Sequence, residues 1–404
     1  MATTQVSHLS INPSPSPQFS VVSKNPIFVS VSTFGGRKFK ICGSFFRPPR
    51  SKNIILNQVT GTADLTEAVA ENENQNPPIF NVPLLSDLQV MEVLRENQKC
   101  RNSKQNFLAM YSSVFGGITV DPSMMVIPMD DHMVHRGHGV FDTAAIVNGY
   151  VYELDQHIDR FLKSASMAKI EPPFDGSTIR NILIQTVSTS KCRQGSLRYW
   201  LSSGPGDFFL TPSNYMKPSL YAIVIQYLNP PDRSGVKVFT SSIPIKSPQF
   251  AVMKSVNYLP NVLSKMEAEE RGGFVAIWLD NEGFVAEGPN MNVAFVTEGK
   301  ELIMPSFEKI LGGCTAKRVL VLAESLVREG TLQGIRVGNI TVEEGKKAAE
   351  MMLIGSGLPI SSVTHWDDQV IGDGKEGPVA QALLDLLLED MKSGPPNVRV
   401  PVPY

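Results

Sequence analysis

Two adjacent prolines, Pro230 and Pro231, interrupt the chain at Asn229-Pro230-Pro231-Asp232. Neither has a backbone N–H to donate and each fixes φ, so no helix or central strand runs through them. The chain has 404 residues, more than one ordinary core serves. The prolines are therefore the natural division between two folded domains. The expected layout is a small N-terminal domain over 106–228, an interdomain linker over 229–235 and a larger domain over 236–404.

Short apolar runs and helical patterns alternate on both sides of this break. The runs 197–202, 220–227, Val236–Thr240, Asn292–Val296, Glu301–Met304 and 351–354 read as strands. Gly149 separates 144–148 from 150–154 as a hairpin turn would. Ile158, Phe161, Leu162 and Ala165 share one helical face, with Asp155 as the expected cap, and 179–188 reads as a second helix. Ser86 is the expected cap of a helix carrying Leu88, Met91 and Leu94. Gly312-Gly313 leads into a helix with Val319, Leu322, Ala323 and Leu326 on one face, and Pro378 opens a last helix that stops near Gly394. The mixture predicts an α+β protein.

The first 60 residues differ from the rest. No Asp or Glu precedes Asp64, serines recur, and basic residues gather between Lys24 and Lys52. A serine-rich, acid-poor, basic start describes an organelle transit peptide, and the long uncharged beginning favours the plastid. The expectation is a disordered chloroplast transit peptide over 1–55, cut between Ser44 and Gly61. A linker and N-terminal helix over 56–105 would follow. Over the whole chain a net charge of -2 gives no basic surface for nucleic acid. No apolar run reaches the ~18 residues of a membrane span. Cys42, Cys100, Cys192 and Cys314 form no CxxC pair, which suits a reducing compartment without a disulfide framework.

Several residues carry chemistry. Lys254 sits among Ala251, Val252, Met253 and Val256, at the expected end of a strand-like run. A lysine in apolar surroundings loses proton affinity and becomes a nucleophile. Gly312-Gly313-Cys314-Thr315 places free backbone N–H groups and a hydroxyl at a helix start, where an anion is held. Gly355-Ser356-Gly357 offers a second set. Glu287 ends the apolar run Phe284-Val285-Ala286, where a carboxylate can keep a ring nitrogen protonated. Taken alone, each reads first as something ordinary: a surface lysine, a tight turn, a solvated acid. His132, His135 and His138 invite a zinc reading. However, Gly137 and Gly139 suggest a loop, no cysteine is near, and no metal is expected. No GxGxxG or GxxxxGK[ST] pattern is present.

The order of these motifs changes their weight. Arg160 in Gln156-His157-Ile158-Asp159-Arg160, Lys254 in Lys254-Ser255-Val256-Asn257-Tyr258, Glu287 in Val285-Ala286-Glu287-Gly288-Pro289-Asn290-Met291-Asn292, and Gly313-Cys314-Thr315 before a helix resemble the class IV, fold type IV aminotransferases. The resemblance covers about 107–368. The family holds branched-chain aminotransferases, D-amino-acid aminotransferases and aminodeoxychorismate lyases. Within it, His135-Arg136-Gly137-His138-Gly139-Val140-Phe141-Asp142 and the final helix are similar to the plastid D-amino-acid transaminases of plants, which also carry lyase activity.

The resemblance implies a small α/β sandwich domain, a larger β-barrel-like α/β domain that binds pyridoxal 5'-phosphate, and a homodimer. It also implies roles. Lys254 would form the imine with the cofactor and shuttle the proton, and Glu287 would pair with the pyridine nitrogen. Arg160, Cys314, Thr315, Gly355 and Ser356 would hold the phosphate. Tyr258 would meet the phenolic oxygen, although its spacing from the lysine is one residue shorter than in branched-chain members. Phe141 and Thr143 stand where bacterial D-amino-acid enzymes carry tyrosine and valine near the substrate.

One departure bears on substrate. The bacterial enzymes hold the substrate carboxylate with an Arg-x-His pair, whereas this chain has Ser203-Gly204-Pro205-Gly206-Asp207-Phe208-Phe209. Arg198, placed like a substrate-binding arginine of branched-chain members, is the candidate in its stead. The implied reaction is transamination between D-amino acids (D-alanine, D-aspartate, D-glutamate) and 2-oxo acids (pyruvate, 2-oxoglutarate), with cleavage of aminodeoxychorismate to 4-aminobenzoate and pyruvate, a step of folate synthesis, as an added activity. The alternatives are an L-branched-chain aminotransferase, a catalytically silent binding protein of the same fold, and a zinc enzyme on the three histidines.

Overall fold

A computed structural model describes residues 82–101, 103–214, 216–228 and 235–404. The expected transit segment and the linker around Pro230 and Pro231 lie outside the described residues.

Two sheets organise these residues. In the first, seven strands run in the spatial order Arg399–Pro401, Tyr150–Tyr152, Gly139–Val147, Gly195–Ser202, Ser219–Tyr227, Gln105–Ser112, Gly117–Thr119. Every neighbouring pair is antiparallel. Helices Leu154–Met167 and Gly176–Ser190 bury Leu154, Ile158, Phe161 and Ala165, and Ile179, Leu183 and Val187, in one apolar cluster with Val140, Ala144, Leu197 and Val224. That helical period is why one face is apolar and the other wet.

The second sheet is mixed. Its order is Gly334–Val337, Glu301–Met304, Asn292–Val296, Glu350–Ile354, Ile360–Trp366, Val236–Thr240, Val275–Ile277, with Gln369–Val370 added beside Ile360–Trp366. Strands Asn292–Val296 and Glu350–Ile354 are buried along their whole length. Their runs are continuously apolar after a polar first residue, as expected for strands covered on both faces. Helices Cys314–Arg328 and Pro378–Ser393 cover one face through Ala316, Val319, Ala323, Leu383, Leu384 and Leu387. The two-sheet, helix-covered arrangement is the mixed α+β class read from the pattern.

Several local expectations change. Asp155 does not cap its helix: Glu153, in the left-handed region at φ 51°, is the cap residue, and Asp155 instead pairs with Arg180 at 2.7 Å. The segment before Lys254 is not a strand. Pro248 opens a short helix, Pro248–Ala251, because its fixed φ suits a first helical position. The three-histidine stretch is helical over His132–Arg136, capped by the Asp131 side chain and closed by Gly137 at φ 65°. The helix Asp87–Lys99 has the expected Ser86 cap, yet none of its residues is buried. The last strand, Arg399–Pro401, returns to the first sheet, whereas the larger domain was expected to run through 404.

Phe161 is fully buried and meets Tyr199 edge-on at 4.9 Å, one residue beyond Arg160. Truncation to alanine should lower the unfolding free energy by about 3–5 kcal/mol, measured by denaturant titration. A change under about 1 kcal/mol would show that the packing at this helix is not as described.

Candidate active site

A cavity of about 520 Å³ lies between the apolar clusters, a size in the usual range of small-molecule sites. Every residue singled out for cofactor or substrate lines it: Lys254, Arg160, Tyr258, Glu287, Cys314, Thr315, Gly355, Ser356, Phe141, Thr143 and Arg198.

Lys254 is pinned through its backbone from two elements. Its carbonyl accepts from the Phe141 N–H at 2.9 Å, and its N–H donates to the Ser164 hydroxyl at 3.1 Å. The neighbouring Val256 N–H donates to the Gly139 carbonyl at 3.0 Å. The side chain is thereby aimed into the cavity without needing a strand of its own. Its Nζ lies 3.5 Å from the Tyr258 hydroxyl and 5.0 Å from the centre of the Phe141 ring. Burial, aided by the Arg160 charge, lowers the amine to about 8, which makes a neutral amine accessible near physiological pH. Tyr258, whose shorter spacing from the lysine left its place open, is brought within reach by the turn into the helix Leu259–Glu270.

Glu287 is a buried carboxylate. Desolvation pushes it up to about 7, against the pull of the Lys246 charge and a backbone hydrogen bond from Leu311. Such an acid is poised to share a proton with a basic ring nitrogen. Opposite it, Gly313 caps the helix Cys314–Arg328 without a side-chain hydrogen bond, so the first-turn N–H groups have no capping side chain. A Cβ on Gly313 would overlap the Asn292 amide, which explains the glycine. The Thr315 and Ser356 hydroxyls are 3.2 Å apart and both line the cavity beside this helix end. Uncapped N–H groups, two hydroxyls and a guanidinium form a donor set that fits a phosphate. The depressed amine and the buried acid fit an aldehyde-bearing pyridine.

Arg160 is held differently from a free cation. It forks onto Asp142 through Nε at 2.9 Å and Nη2 at 2.7 Å, and its Nη1 donates to the Gly312 carbonyl at 3.2 Å. His157 meets the same Asp142 through Nδ1 at 2.8 Å. Asp142 is fully buried, and Arg160 and His157 overcome its desolvation to hold it well below the usual carboxylate range. On the other face of strand Gly139–Val147, Thr143 sits opposite Arg198 and accepts from its Nε at 3.2 Å. The sequence reading missed Asp142, His157 and Lys246. The i,i+3 spacing of His157 and Arg160 was a local signal for a shared partner. Nothing local pointed to Lys246. The three histidines form their own cluster: His132 and His138 face each other at 3.1 Å through Nδ1, and His138 Nε2 meets the Ala168 carbonyl at 2.8 Å. Among the described residues no group of three or more acidic, cysteine or histidine side chains is arranged to hold a metal.

Residues 139–366 match the profile of the amino-transferase class IV family. The chain belongs to the class IV aminotransferases. As a member it uses pyridoxal 5'-phosphate, the group that the donor set of the cavity fits. It is 66% identical over 326 residues to the chloroplastic D-amino-acid transaminase of Arabidopsis thaliana, a match that covers 80% of this chain and 86% of that relative. It is 30% identical over 272 residues to a putative branched-chain-amino-acid aminotransferase of Methanocaldococcus jannaschii, covering 66% of this chain and 92% of that protein. In fold it is similar to the branched-chain amino acid aminotransferase of Thermobaculum terrenum, solved in its PLP form. That match has a TM-score of 0.65 at 21% identity and covers 74% of this chain and 99% of the other. The class IV aminotransferase fold thus accounts for both sheets and for the cavity between their clusters.

In the cofactor-free protein, acylation of Lys254 by a water-soluble amine reagent should rise with pH and reach half its maximum near pH 8, read by peptide mass. The neutral amine reacts, so a midpoint above pH 10 would mean the cavity does not depress it.

Proposed function

We propose that this protein is a pyridoxal 5'-phosphate-dependent transaminase that exchanges amino groups between D-amino acids and 2-oxo acids. The observation that carries the reading is the convergence, in one cavity, of a depressed amine, a buried acid and an uncapped helix end. The 66% identity to a relative named a D-amino-acid transaminase supports the choice of substrate hand.

The residues divide the work. Arg160, Thr315, Ser356 and the N–H groups about Cys314 and Gly355 hold the phosphate, and Glu287 holds the ring nitrogen. Lys254 holds the aldehyde end and moves the proton at the substrate Cα. Tyr258 meets the phenolic oxygen. When bound, the cofactor supplies an electron sink for the pair left at Cα. Phe141 and Thr143 border the substrate, and Arg198 takes a carboxylate through the guanidinium nitrogens not given to Thr143. The same proton shuttle would serve release of pyruvate and 4-aminobenzoate from aminodeoxychorismate. The chloroplastic relative and the acid-poor start support a plastid address with a cleaved segment, and the family resemblance supports a homodimer. The division into domains about 229–235 belongs to the same reading.

The missing Arg-x-His pair favours one rival, an L-branched-chain aminotransferase. Assays with D-alanine, D-aspartate, L-leucine and aminodeoxychorismate on one cofactor-loaded preparation separate the readings. D-Alanine and D-aspartate should turn over well above L-leucine, and the reverse ranking sinks the D-specific reading. Lys254→Ala should abolish turnover of all four, a loss of at least about 8 kcal/mol of barrier lowering at typical enzyme accelerations. Retained turnover would remove Lys254 from its role.

A further inference from the structure

The charges lining the cavity can be matched one by one. Arg160 is paired with Asp142. Lys265, at the rim, pairs with Glu269 at 3.1 Å. Lys254 is the reacting amine. Glu287 is buried and assigned to the ring nitrogen. Two cations remain. Arg198 has one hydrogen bond, to Thr143, and no acidic partner among the described residues. Lys246 makes no ion pair among the described residues; its Nζ rests 5.0 Å from the centre of the Tyr258 ring.

These two cations flank the same aromatic pair. Arg198 is tied to Thr143, two residues along the strand from Phe141 and on the same face. Phe141 meets Tyr258 edge-on at 5.1 Å, and Lys246 lies over Tyr258. A substrate lying against Phe141 and Tyr258 therefore has a cation beyond each ring. One carboxylate satisfies one cation, and the second cation calls for a second anion. We propose that Lys246 is a substrate-binding residue that recognises the second carboxylate of dicarboxylic amino and oxo acids, with Arg198 taking the other.

The residue type suits the task. An ammonium on a flexible stem is a point charge that can follow carboxylates at different chain lengths, and the ring holds it by a cation–π contact until an anion arrives. Lys246 lies two residues ahead of Pro248, in the segment joining strand Val236–Thr240 to the helix Pro248–Ala251, so its backbone is anchored at both ends while its side chain is half-buried. It is also the largest charge felt by both Glu287 and Tyr258. The rival role is therefore electrostatic support of those two groups, which would affect every substrate alike.

The inference rests on the transaminase reading, and its test separates the two. For the holoenzyme and its Lys246→Gln variant, kcat/KM is measured for D-aspartate and for D-alanine with a common acceptor. The ratio of the two should fall by roughly tenfold to a hundredfold in Lys246→Gln, the range expected for losing one charge-assisted contact, and Lys246→Arg should retain much of it. An unchanged ratio, whatever happens to the absolute rates, overturns the proposal. As a readout independent of turnover, the holoenzymes are titrated calorimetrically with succinate and with propionate. Wild type should bind succinate more tightly and Lys246→Gln should lose that preference. A preference kept by the variant, or absent from wild type, also overturns it. If no D-amino acid turns over yet Lys246 still governs the succinate preference, the transaminase reading fails and the carboxylate site stands.

Discussion

The fork of Arg160 onto Asp142 is the contact on which the site depends. Asp142 belongs to the strand Gly139–Val147, Arg160 to the helix Leu154–Met167, and the third hydrogen bond of the guanidinium reaches the Gly312 carbonyl at the mouth of the helix Cys314–Arg328. One side chain thus ties the first sheet and its helix to the end of a helix that covers the second. Removing one partner of a buried ion pair leaves a charge without compensation, at a cost of about 3–5 kcal/mol. Bidentate geometry fixes the orientation of the guanidinium as well as its distance. His157, on the same helix one turn earlier, supplies the second contact that keeps Asp142 ionised.

From this anchor the electrostatics of the cavity follow. Arg160 adds its charge to the burial that depresses the Lys254 amine, while Glu287 is drawn the other way by desolvation. An amine and an acid whose affinities converge near neutrality divide proton-transfer work at physiological pH. The positive excess that remains, on Arg198 and Lys246, faces the space left for substrate. A part-buried, cation-lined cavity strengthens its hold on anions because its effective dielectric is lower than that of open water.

Much of the local structure was legible from the chain. Strands Val236–Thr240, Asn292–Val296 and Glu301–Met304 fall where the apolar runs predict them, and the helices Leu154–Met167, Gly176–Ser190 and Cys314–Arg328 begin within a few residues of the expected points. The misses have two causes. At Pro248–Ala251 an apolar run was read as a strand, although Pro248 favours a helical start. At Asp155 a good capping residue was displaced by Glu153, because the hairpin before it delivers the chain in a left-handed conformation. In the first place a local proline signal decided the helix, and in the second the preceding hairpin overrode a good local cap.

What the sequence determined by itself is the set of elements and the order of the chemical motifs, because both depend on neighbours a few residues apart. Periodicity sorts buried from exposed faces, proline and glycine punctuate, and the succession of Arg160, Lys254, Glu287 and Thr315 points to a family. What only the tertiary structure decided is who meets whom. The Asp142 carboxylate under Arg160, the Gly312 carbonyl 152 residues away, and the ammonium of Lys246 over Tyr258 come together through packing of separate elements. Desolvation depends on everything that surrounds a group, so the amine near 8 and the acid near 7 exist only once the cavity is closed around them.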